Sequence, residues 1–370
     1  MQINETEAFD SQGSIQAWRH ALHQRPELEF DLDWTSDRIA ELLTSFGIEV
    51  HRGIGQTGVV GVLQRGNSQR SIGLRADMDA LPITEANSFD HASRNAGRMH
   101  ACGHDGHMAM LLGAARQLSE DGTFNGRAVF IFQPNEEFGQ GAVAMIRDGL
   151  FDAHPVDAVY GLHNMPGLPV GAFETRTGVM TASEALFEIE ITGRGGHAAL
   201  PHMGVDAITV GAEITLALQT IVARKIDPAA HAVVSVTTFD TDGRRNVLPG
   251  RAVLAGDCRA LTPQTNTEIE ARMRQIVAGI AAAHDVSATV SYETIFPAVV
   301  NDPAATSAAV VAARAVSSEV KADGPPKLFS EDFAHMTHVA PGAFMLIGNG
   351  THGGVSKLNV GAQCRTALVF

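Results

Sequence analysis

The sequence has few cysteines, few aromatic residues and fewer basic than acidic side chains. Its 370 residues contain three cysteines, which is too few for a disulfide framework. The formal net charge of −14 disfavours a nucleic-acid or anionic-membrane partner, because either would require a basic face. A small anionic substrate remains possible, since a few local arginines can outweigh the overall field.

The sequence also lacks recognisable export and membrane signals. Residues 1–7 do not combine a basic start with an apolar core, so no signal peptide is predicted. No apolar run reaches the roughly 20 residues that a membrane-spanning helix requires. We therefore expect a cytoplasmic protein with no membrane partner.

What the first half does contain is an alternation of strand and helix patterns. The strand at 127–132 is apolar without alternation, as expected when both faces of a sheet are covered. The predicted elements are strands 58–63 and 71–75, helix 107–118, strand 127–132, helix 142–150 and strand 158–163. From 71 onward, strands and helices alternate. This order predicts an α/β fold with a mainly parallel sheet flanked by helices.

The pattern changes from about residue 183. The next elements are strand 186–192, helix 207–222, strands 232–236 and 252–257, helix 267–283 and strand 288–292. This βαββαβ order is typical of an antiparallel sheet with helices on one face. Since a chain of this length usually forms two domains, we expect an α+β domain at 183–292 inserted into a discontinuous catalytic domain of 1–182 and 293–370.

Two short segments carry most of the candidate chemistry. Residues 99–107 contain one thiol, three imidazoles and a carboxylate, and 133–137 end in Glu136 and Glu137 after an apolar strand. Thiolate, imidazole and carboxylate are ligands for zinc, manganese or cobalt. A spare carboxylate beside such a site can serve as general base. Together the segments predict a metal-dependent hydrolase.

The spacing within these segments predicts how the side chains point. Cys102 and His104 lie two residues apart, so on an extended segment both would face the same metal or two neighbouring ones. Glu136 and Glu137 would diverge, so that one binds metal while the other faces the substrate. Packing of Cys102 and solvation of the glutamates are the alternatives.

Several other polar residues follow the ends of predicted strands. Asp77 and His163 do so, as do the two glutamates, and ligands gather beyond the carboxyl ends of parallel strands. Asp77, Asp79 and Asp105 are candidates to orient ligand histidines. Asp77 has an alternative role as a turn or cap residue, and a histidine such as His163 is more often a packing residue than a ligand.

Six motifs in order resemble one enzyme family. They occupy residues 75–82, 100–107, 133–137, 161–164, 193–197 and 330–334. They look like those of the amidohydrolases that include hippurate hydrolases, bacterial N-acyl-amino-acid amidohydrolases and plant auxin-conjugate hydrolases. That family belongs with the aminoacylase and carboxypeptidase G type metallopeptidases. The resemblance runs from Arg19 to about Asn349.

The resemblance implies a two-metal catalytic domain and a small lid domain that also forms a homodimer. It implies one or two divalent ions per subunit, whether Mn, Zn, Co or Ni, and assigns four ligands with the thiolate bridging, namely Cys102, His104, Glu137 and His163. By the same resemblance Glu136 is the general base. His197, from the lid of the same or the partner subunit, would stabilise the oxyanion. Asn246 and Arg259 are implied to contact the substrate carboxylate.

The C-terminal segment departs from the family pattern. The expected late histidine, followed by proline and a stretch rich in aromatic residues, Asn and Asp, is absent, which leaves His352 as the candidate fifth ligand. The predicted reaction is hydrolysis of the amide bond of a small-molecule N-acyl amino acid, with the acyl group undefined. One alternative is a non-catalytic ligand binder that has lost a metal ligand. Another is a cysteine hydrolase using Cys102 and His104, in which the glutamates have no evident role.

Overall fold

The computed structural model describes residues 11–351, which divide into two compact units. The first unit consists of 11–180, 299–325 and 332–351. The second consists of 181–298 together with the short segment 326–331. The chain therefore leaves the first unit and returns to it twice.

The first unit is built on an eight-stranded sheet. Its strands are β1 (Glu49–Ile54), β2 (Gly58–Arg65), β3 (Ser71–Asp77), β4 (Gly126–Gln133), β5 (Ala158–Met165), β6 (Phe173–Glu174), β15 (Val320–Lys321) and β16 (Gly342–Gly348). Their order across the sheet is β1-β2-β4-β3-β5-β16-β6-β15. The centre, from β4 through β3 and β5 to β16, is parallel, whereas β1 and β2 form an antiparallel edge. The predicted mainly parallel α/β fold is confirmed.

Helices cover this sheet. They are α1 (Ile15–His23), α2 (Asp33–Ser45), α3 (His104–Asp121), α4 (Gly141–Arg147), α5 (Leu150–Ala153), α8 (Pro303–Val316) and α9 (Phe333–Thr337). The first unit also contains a two-stranded ribbon, β7 (Gly178–Val179) paired with β14 (Val300–Asn301). The main core joins Trp18 and Leu22 of α1, Leu112 of α3, and Phe130 and Phe132 of β4, all fully buried. This burial explains why β4 shows no alternation in sequence.

The second unit contains a four-stranded antiparallel sheet in the order β10-β12-β8-β13. Its elements are β8 (Ser183–Thr192), β9 (Gly196–His197), α6 (Ala207–Thr220), β10 (Ala232–Thr241), β11 (Val247–Leu248), β12 (Arg251–Ala260), α7 (Pro263–Ala283) and β13 (Ser287–Phe296). Along β8, Phe187, Ile189 and Ile191 are buried and alternate with more exposed residues. Apart from the short ribbon of β9 and β11, the element order is the expected βαββαβ.

One helical stretch of the second unit departs from the prediction that no apolar run is long enough to span a membrane. The 19 residues Ala207–Lys225, which are α6 and the π-helical turn Ile221–Lys225 after it, have the length and composition of a membrane span. The core helix of a soluble protein passes the same test. Val210, Ile214 and Leu218 on one face are buried in the core of this unit.

Candidate functional site

Two histidines, His104 buried and His163 half-buried, present the same ring nitrogen to one place in the first unit. His104 begins α3, and its Nδ1 donates to the carbonyl oxygen of Asp79 at 2.8 Å. His163 lies on β5, and its Nδ1 donates to the carbonyl oxygen of Asn164 at 2.6 Å. In a neutral ring this tautomer leaves the Nε2 lone pair available, which is the arrangement of a metal-ligating histidine.

Cys102 lies beside these two nitrogens. Its Sγ is 3.5 Å from His163 Nε2, and the ligand atoms of Cys102, His104 and His163 all lie within 4.8 Å of one another. The segment is not extended as expected, because Gly103 has a φ of +94° and caps α3. The left-handed turn at this glycine brings the thiol and imidazole together.

The glutamate pair approaches His104 from the next strand. Glu137 Oε1 is 3.8 Å and Glu136 Oε2 is 4.0 Å from His104 Nε2. The expectation that the two side chains diverge is wrong, because residues 136–139 form a turn after β4 rather than an extended segment. Asn135 enters this turn with a φ of +49°, a conformation that asparagine tolerates better than most residues.

The carboxylate of Asp79 fixes that turn. Its Oδ1 accepts the backbone N–H of Glu136 and its Oδ2 that of Glu137, each at 3.0 Å. Asp79 is fully buried, so water does not compete for these bonds. One side chain therefore sets the backbone positions of both site glutamates.

Burial disfavours the charged forms of several side chains in the cluster. Burial and the nearby Glu137 raise the pKa of the Cys102 thiol to about 12, and burial raises the pKa of Glu137 to about 7. Burial also lowers the pKa of His163 to about 3. The pKa of the Cys102 thiol argues against an unassisted cysteine nucleophile, because the reactive thiolate would be scarce.

Unsatisfied atoms test whether a metal fits. His104 Nε2 and Glu137 Oε1 are buried and have no hydrogen-bond partner. Such atoms are rare in native proteins unless a water or ion satisfies them. They face each other within a thiol, imidazole and carboxylate set that suits divalent ions. The residues fit the implied metal.

Asp77 lies below the cluster and holds a third histidine. His107 Nδ1 donates to Asp77 Oδ1 at 2.6 Å, while His107 Nε2 accepts the Asn164 backbone N–H at 2.9 Å. Both nitrogens of His107 are thus engaged. Asp77 Oδ2 is 3.7 Å from His104 Nε2. Burial acts to raise the pKa of Asp77, but His104, His107 and Arg75 hold it well below its usual range.

Asp105 faces away from the cluster. Its Oδ2 accepts from His23 Nδ1 at 2.9 Å and from Arg19 Nε at 3.1 Å, both on α1. It therefore contacts neither His104 nor His163 in the described hydrogen bonds. Its contacts tie α1 to α3, rather than orienting a predicted ligand as the sequence suggested.

In the second unit, the structure brings His197 and Asn246 together. His197 lies on β9 and Asn246 directly precedes its partner strand β11, and the Ala198 N–H donates to the Asn246 carbonyl oxygen at 3.0 Å. His197 Nδ1 accepts the Ala199 N–H at 3.1 Å, so a neutral ring carries its proton on Nε2.

Arg259 has different contacts from those the sequence suggested. Its guanidinium donates to Asp257 Oδ2, Glu184 Oε2 and Ser330 Oγ, each at 2.9 Å and all within the second unit. The predicted partner was a substrate carboxylate, but two protein carboxylates already pair with this side chain. His352, the candidate fifth ligand, lies outside the described residues.

Asp79, a candidate for orienting ligand histidines, also holds the glutamate turn, and Asn164 has a contact that its sequence position alone does not indicate. Asn164 Nδ2 donates to the carbonyl oxygen of Cys102 at 2.7 Å, which links β5 to the ligand segment. Asp79 belongs to the motif at 75–82, and Asn164 belongs to the motif at 161–164, directly after His163. That position was the available signal, but their backbone contacts are visible only in three dimensions.

A largely enclosed cluster of potential metal ligands with a carboxylate to spare is the arrangement that metal-dependent hydrolases use. The structure therefore defines the chain as a protein of that class, with the site beyond the carboxyl ends of β3, β4 and β5.

Comparison with known proteins identifies the family. Residues 73–359 match peptidase family M20/M25/M40. The chain is 40% identical over 345 residues to the hippurate hydrolase of Campylobacter jejuni, covering 93% of this chain and 90% of the relative. It is 38% identical to the N-acetyl-L-cysteine deacetylase of Bacillus subtilis, covering 90% and 80%. The chain belongs to the M20/M25/M40 family, as the motifs predicted.

A solved structure agrees with this assignment. The YXEP protein of Bacillus subtilis, described as a dinuclear metal-binding peptidase of the M20 family, matches with a TM-score of 0.78. It is 33% identical, and the match covers 90% of this chain and 88% of that one. The similarity supports a site for divalent metal ions.

Proposed function

We propose that this protein hydrolyses the amide bond of N-acyl amino acids to a carboxylate and a free amino acid. The ligands would be Cys102, His104, Glu137 and His163. The observation that carries the proposal is the presence of two carboxylates near His104 Nε2, at 3.8 and 4.0 Å. One suffices as a ligand, which leaves Glu136 for proton transfer. The names of the hippurate hydrolase and the N-acetylcysteine deacetylase support this substrate class.

The side chains divide the chemical work. Divalent ions bound here would polarise the acyl oxygen and acidify a water molecule. Glu136 Oε2 would take a proton from that water and deliver it to the leaving amine. Burial of Glu136, which is 6% exposed, limits proton exchange with bulk solvent. The Nε2–H of a His197, from the same or the partner subunit, would donate to the developing oxyanion.

Of the two candidates for contacting the substrate carboxylate, we favour Asn246, because Arg259 already pairs with Glu184 and Asp257. Asn246 is exposed, and it directly precedes Val247, the residue that pairs with His197 in the β9–β11 ribbon. Arg259 would serve to hold the segment 326–331 through Ser330.

We also propose a homodimer formed through the second unit. Ile208 and Leu216 lie two turns apart on α6 and are 44% and 73% exposed. An exposed apolar row of this kind is typical of an interface. Sedimentation of the metal-loaded protein should give a dimer, and a Leu216→Glu variant should shift it to monomer. A monomeric wild type would contradict this part of the proposal.

The decisive experiment compares the wild type with Glu136→Gln on a panel of N-benzoyl, N-acetyl, fatty-acyl and indole-acetyl amino acids, with Mn, Zn or Co added. Glu136→Gln should lower kcat by about 10²–10⁴-fold with unchanged metal content. Glu174→Gln, at a buried glutamate on β6 that lies 3.6 Å from Lys321 Nζ, is the matched control. Wild-type kcat in Glu136→Gln would refute the assigned role. Ligand binding without turnover under every metal would favour the non-catalytic alternative.

A further inference from the structure

Three motif residues have no role in the chemistry described so far. Arg75 opens the motif at 75–82, Gln133 opens the motif at 133–137, and Asp332 lies within the motif at 330–334. All three are buried, with exposed fractions of 4%, 0% and 0%. They come from segments up to 257 residues apart in sequence, yet they meet in one network in the first unit.

The guanidinium of Arg75 is the centre of this network. Nε donates to Gln133 Oε1 at 2.9 Å, Nη1 to Asp77 Oδ2 at 2.8 Å and Nη2 to Asp332 Oδ1 at 2.9 Å. A planar guanidinium with three directed contacts fixes the relative positions of its partners. Through Asp77, the network reaches His107 and the side of His104.

Asp332 connects the same network to Glu136. Its two carboxylate oxygens each accept from Gln133 Nε2 at 2.8 Å, and Oδ2 also accepts the Ala142 N–H at 2.9 Å. The backbone N–H of Asp332 in turn donates to Glu136 Oε1 at 3.3 Å. One oxygen of Glu136 is thus held by this backbone, while the other, Oε2, faces His104.

Stability alone is a poor explanation for this arrangement. Two buried carboxylates share one arginine, and removing three charges from water costs much of what their attraction returns. An apolar core of the same volume would often be as stable. The charged network instead fixes the distance between Asp77, which lies beside His104, and Asp332, which binds Glu136 through its backbone N–H.

We propose that Arg75 and Asp332 are positioning residues that fix Glu136 relative to the metal ligands. This inference rests on the proposed role of Glu136 as the proton-transfer group. Arg75 sets the distance between the carboxylates of Asp77 and Asp332. The backbone N–H of Asp332 then holds Glu136 at a fixed position relative to Asp77. Both residues are buried, with exposed fractions of 4% and 0%, so we expect them to act on the rate of the chemical step rather than on substrate affinity.

The test uses the metal-loaded enzyme with Asp332→Asn. Asparagine keeps the backbone N–H and the side-chain volume. Its amide NH₂ group, however, is a donor placed against another donor, either Gln133 Nε2 or the Ala142 N–H. The expected result is a fall in kcat on the order of 10–100-fold, with KM changed less than about twofold. Asp157→Asn is the matched control, because Asp157 Oδ2 accepts the Ser71 N–H at the opposite end of β3. It should leave kcat unchanged.

A double-mutant cycle separates positioning from general destabilisation. If Asp332 acts through Glu136, adding Asp332→Asn to Glu136→Gln should lower kcat by less than about twofold further. A full additional 10–100-fold loss would overturn the inference.

A second readout does not depend on turnover. Arg75→Lys keeps the charge but loses the planar fork, so cobalt(II) affinity, followed by visible absorption, should weaken about tenfold. Asp157→Asn should bind cobalt as the wild type does. Unchanged cobalt affinity in Arg75→Lys would overturn the network's link to the metal ligands. A wild type that hydrolyses no N-acyl amino acid would instead refute the proposed function, while leaving the cobalt result to judge the network.

Discussion

The two site glutamates are held through their backbone by one buried carboxylate, and replacing that carboxylate should loosen both. Asp79 accepts the Glu136 and Glu137 N–H groups at 3.0 Å each. In Asp79→Asn one oxygen becomes an NH₂ group that cannot accept. One charge-assisted bond, worth about 1.5–3 kcal/mol, is lost, and a buried N–H is left facing a donor. We expect unfolding free energy to fall by about 3 kcal/mol.

Thermal unfolding and kinetics test this expectation on the same protein. A loss of about 3 kcal/mol corresponds to a Tm lowered by about 6–12 °C for a unit of this size. A displacement of Glu136 by about 1 Å should lower kcat about 10²-fold. Asp157→Asn removes a carboxylate from a single N–H at an exposed position and should cost less than about 1 kcal/mol. If the Tm and kcat of Asp79→Asn equalled those of Asp157→Asn, the conclusion that Asp79 positions the two glutamates would be refuted.

Three further predictions concern pH, thiol chemistry and the turn. Burial acts to lower the pKa of His23, but hydrogen bonds to Asp105 and Glu85 raise it. Its stabilisation is complete below the unfolded pKa of about 6.5 and is lost as pH rises through the folded value, so in urea unfolding His23→Gln should cost more at about pH 6 than at about pH 9. Equal costs would contradict this. In metal-free protein at about pH 8, mass spectrometry should show much slower iodoacetamide alkylation of Cys102 than of a cysteine peptide, because its thiol pKa is about 12; equal rates would count against that pKa. Asn135→Ala should lower unfolding free energy by about 1–2 kcal/mol and Asn135→Gly by less, because φ is +49°; equal losses would rule out backbone strain.

The location of the site was predictable from sequence because strand ends are marked locally. The apolar runs that become β3, β4 and β5 stop close to Asp77, Gln133 and His163, and parallel strands bring their carboxyl ends to one edge. The parallel order itself followed from the alternation of strands with helices. These features depend on patterns a few residues long, which a single sequence displays.

The directions of the side chains were not predictable in the same way. Alternation on an extended chain was assumed for Cys102 and His104, whereas the left-handed Gly103 and the start of α3 determine their approach. Likewise the turn carrying Glu136 is fixed by Asp79, which lies 57 residues earlier. Backbone turns imposed by distant contacts leave no periodic trace in a sequence.

Arg259 shows the same limit for charged residues. A lone arginine near a strand end was a reasonable anion-binding candidate. Its partner Glu184 is directly opposite on the neighbouring strand β8, 75 residues away. Strand register determined that pairing, and register was not available from the sequence.

The position of β16 inside the sheet has a consequence for how the chain folds during synthesis. This strand lies between β5 and β6, and Leu346 is paired with His163 across a long stretch of chain. The second unit has all four strands of its main sheet within 183–296, so that sheet can form while the ribosome is still translating. The first unit must wait for residues 342–348, because β5 has no neighbour on that side before they emerge. Until those residues emerge, the nascent first unit therefore exposes an unpaired strand edge beside His163.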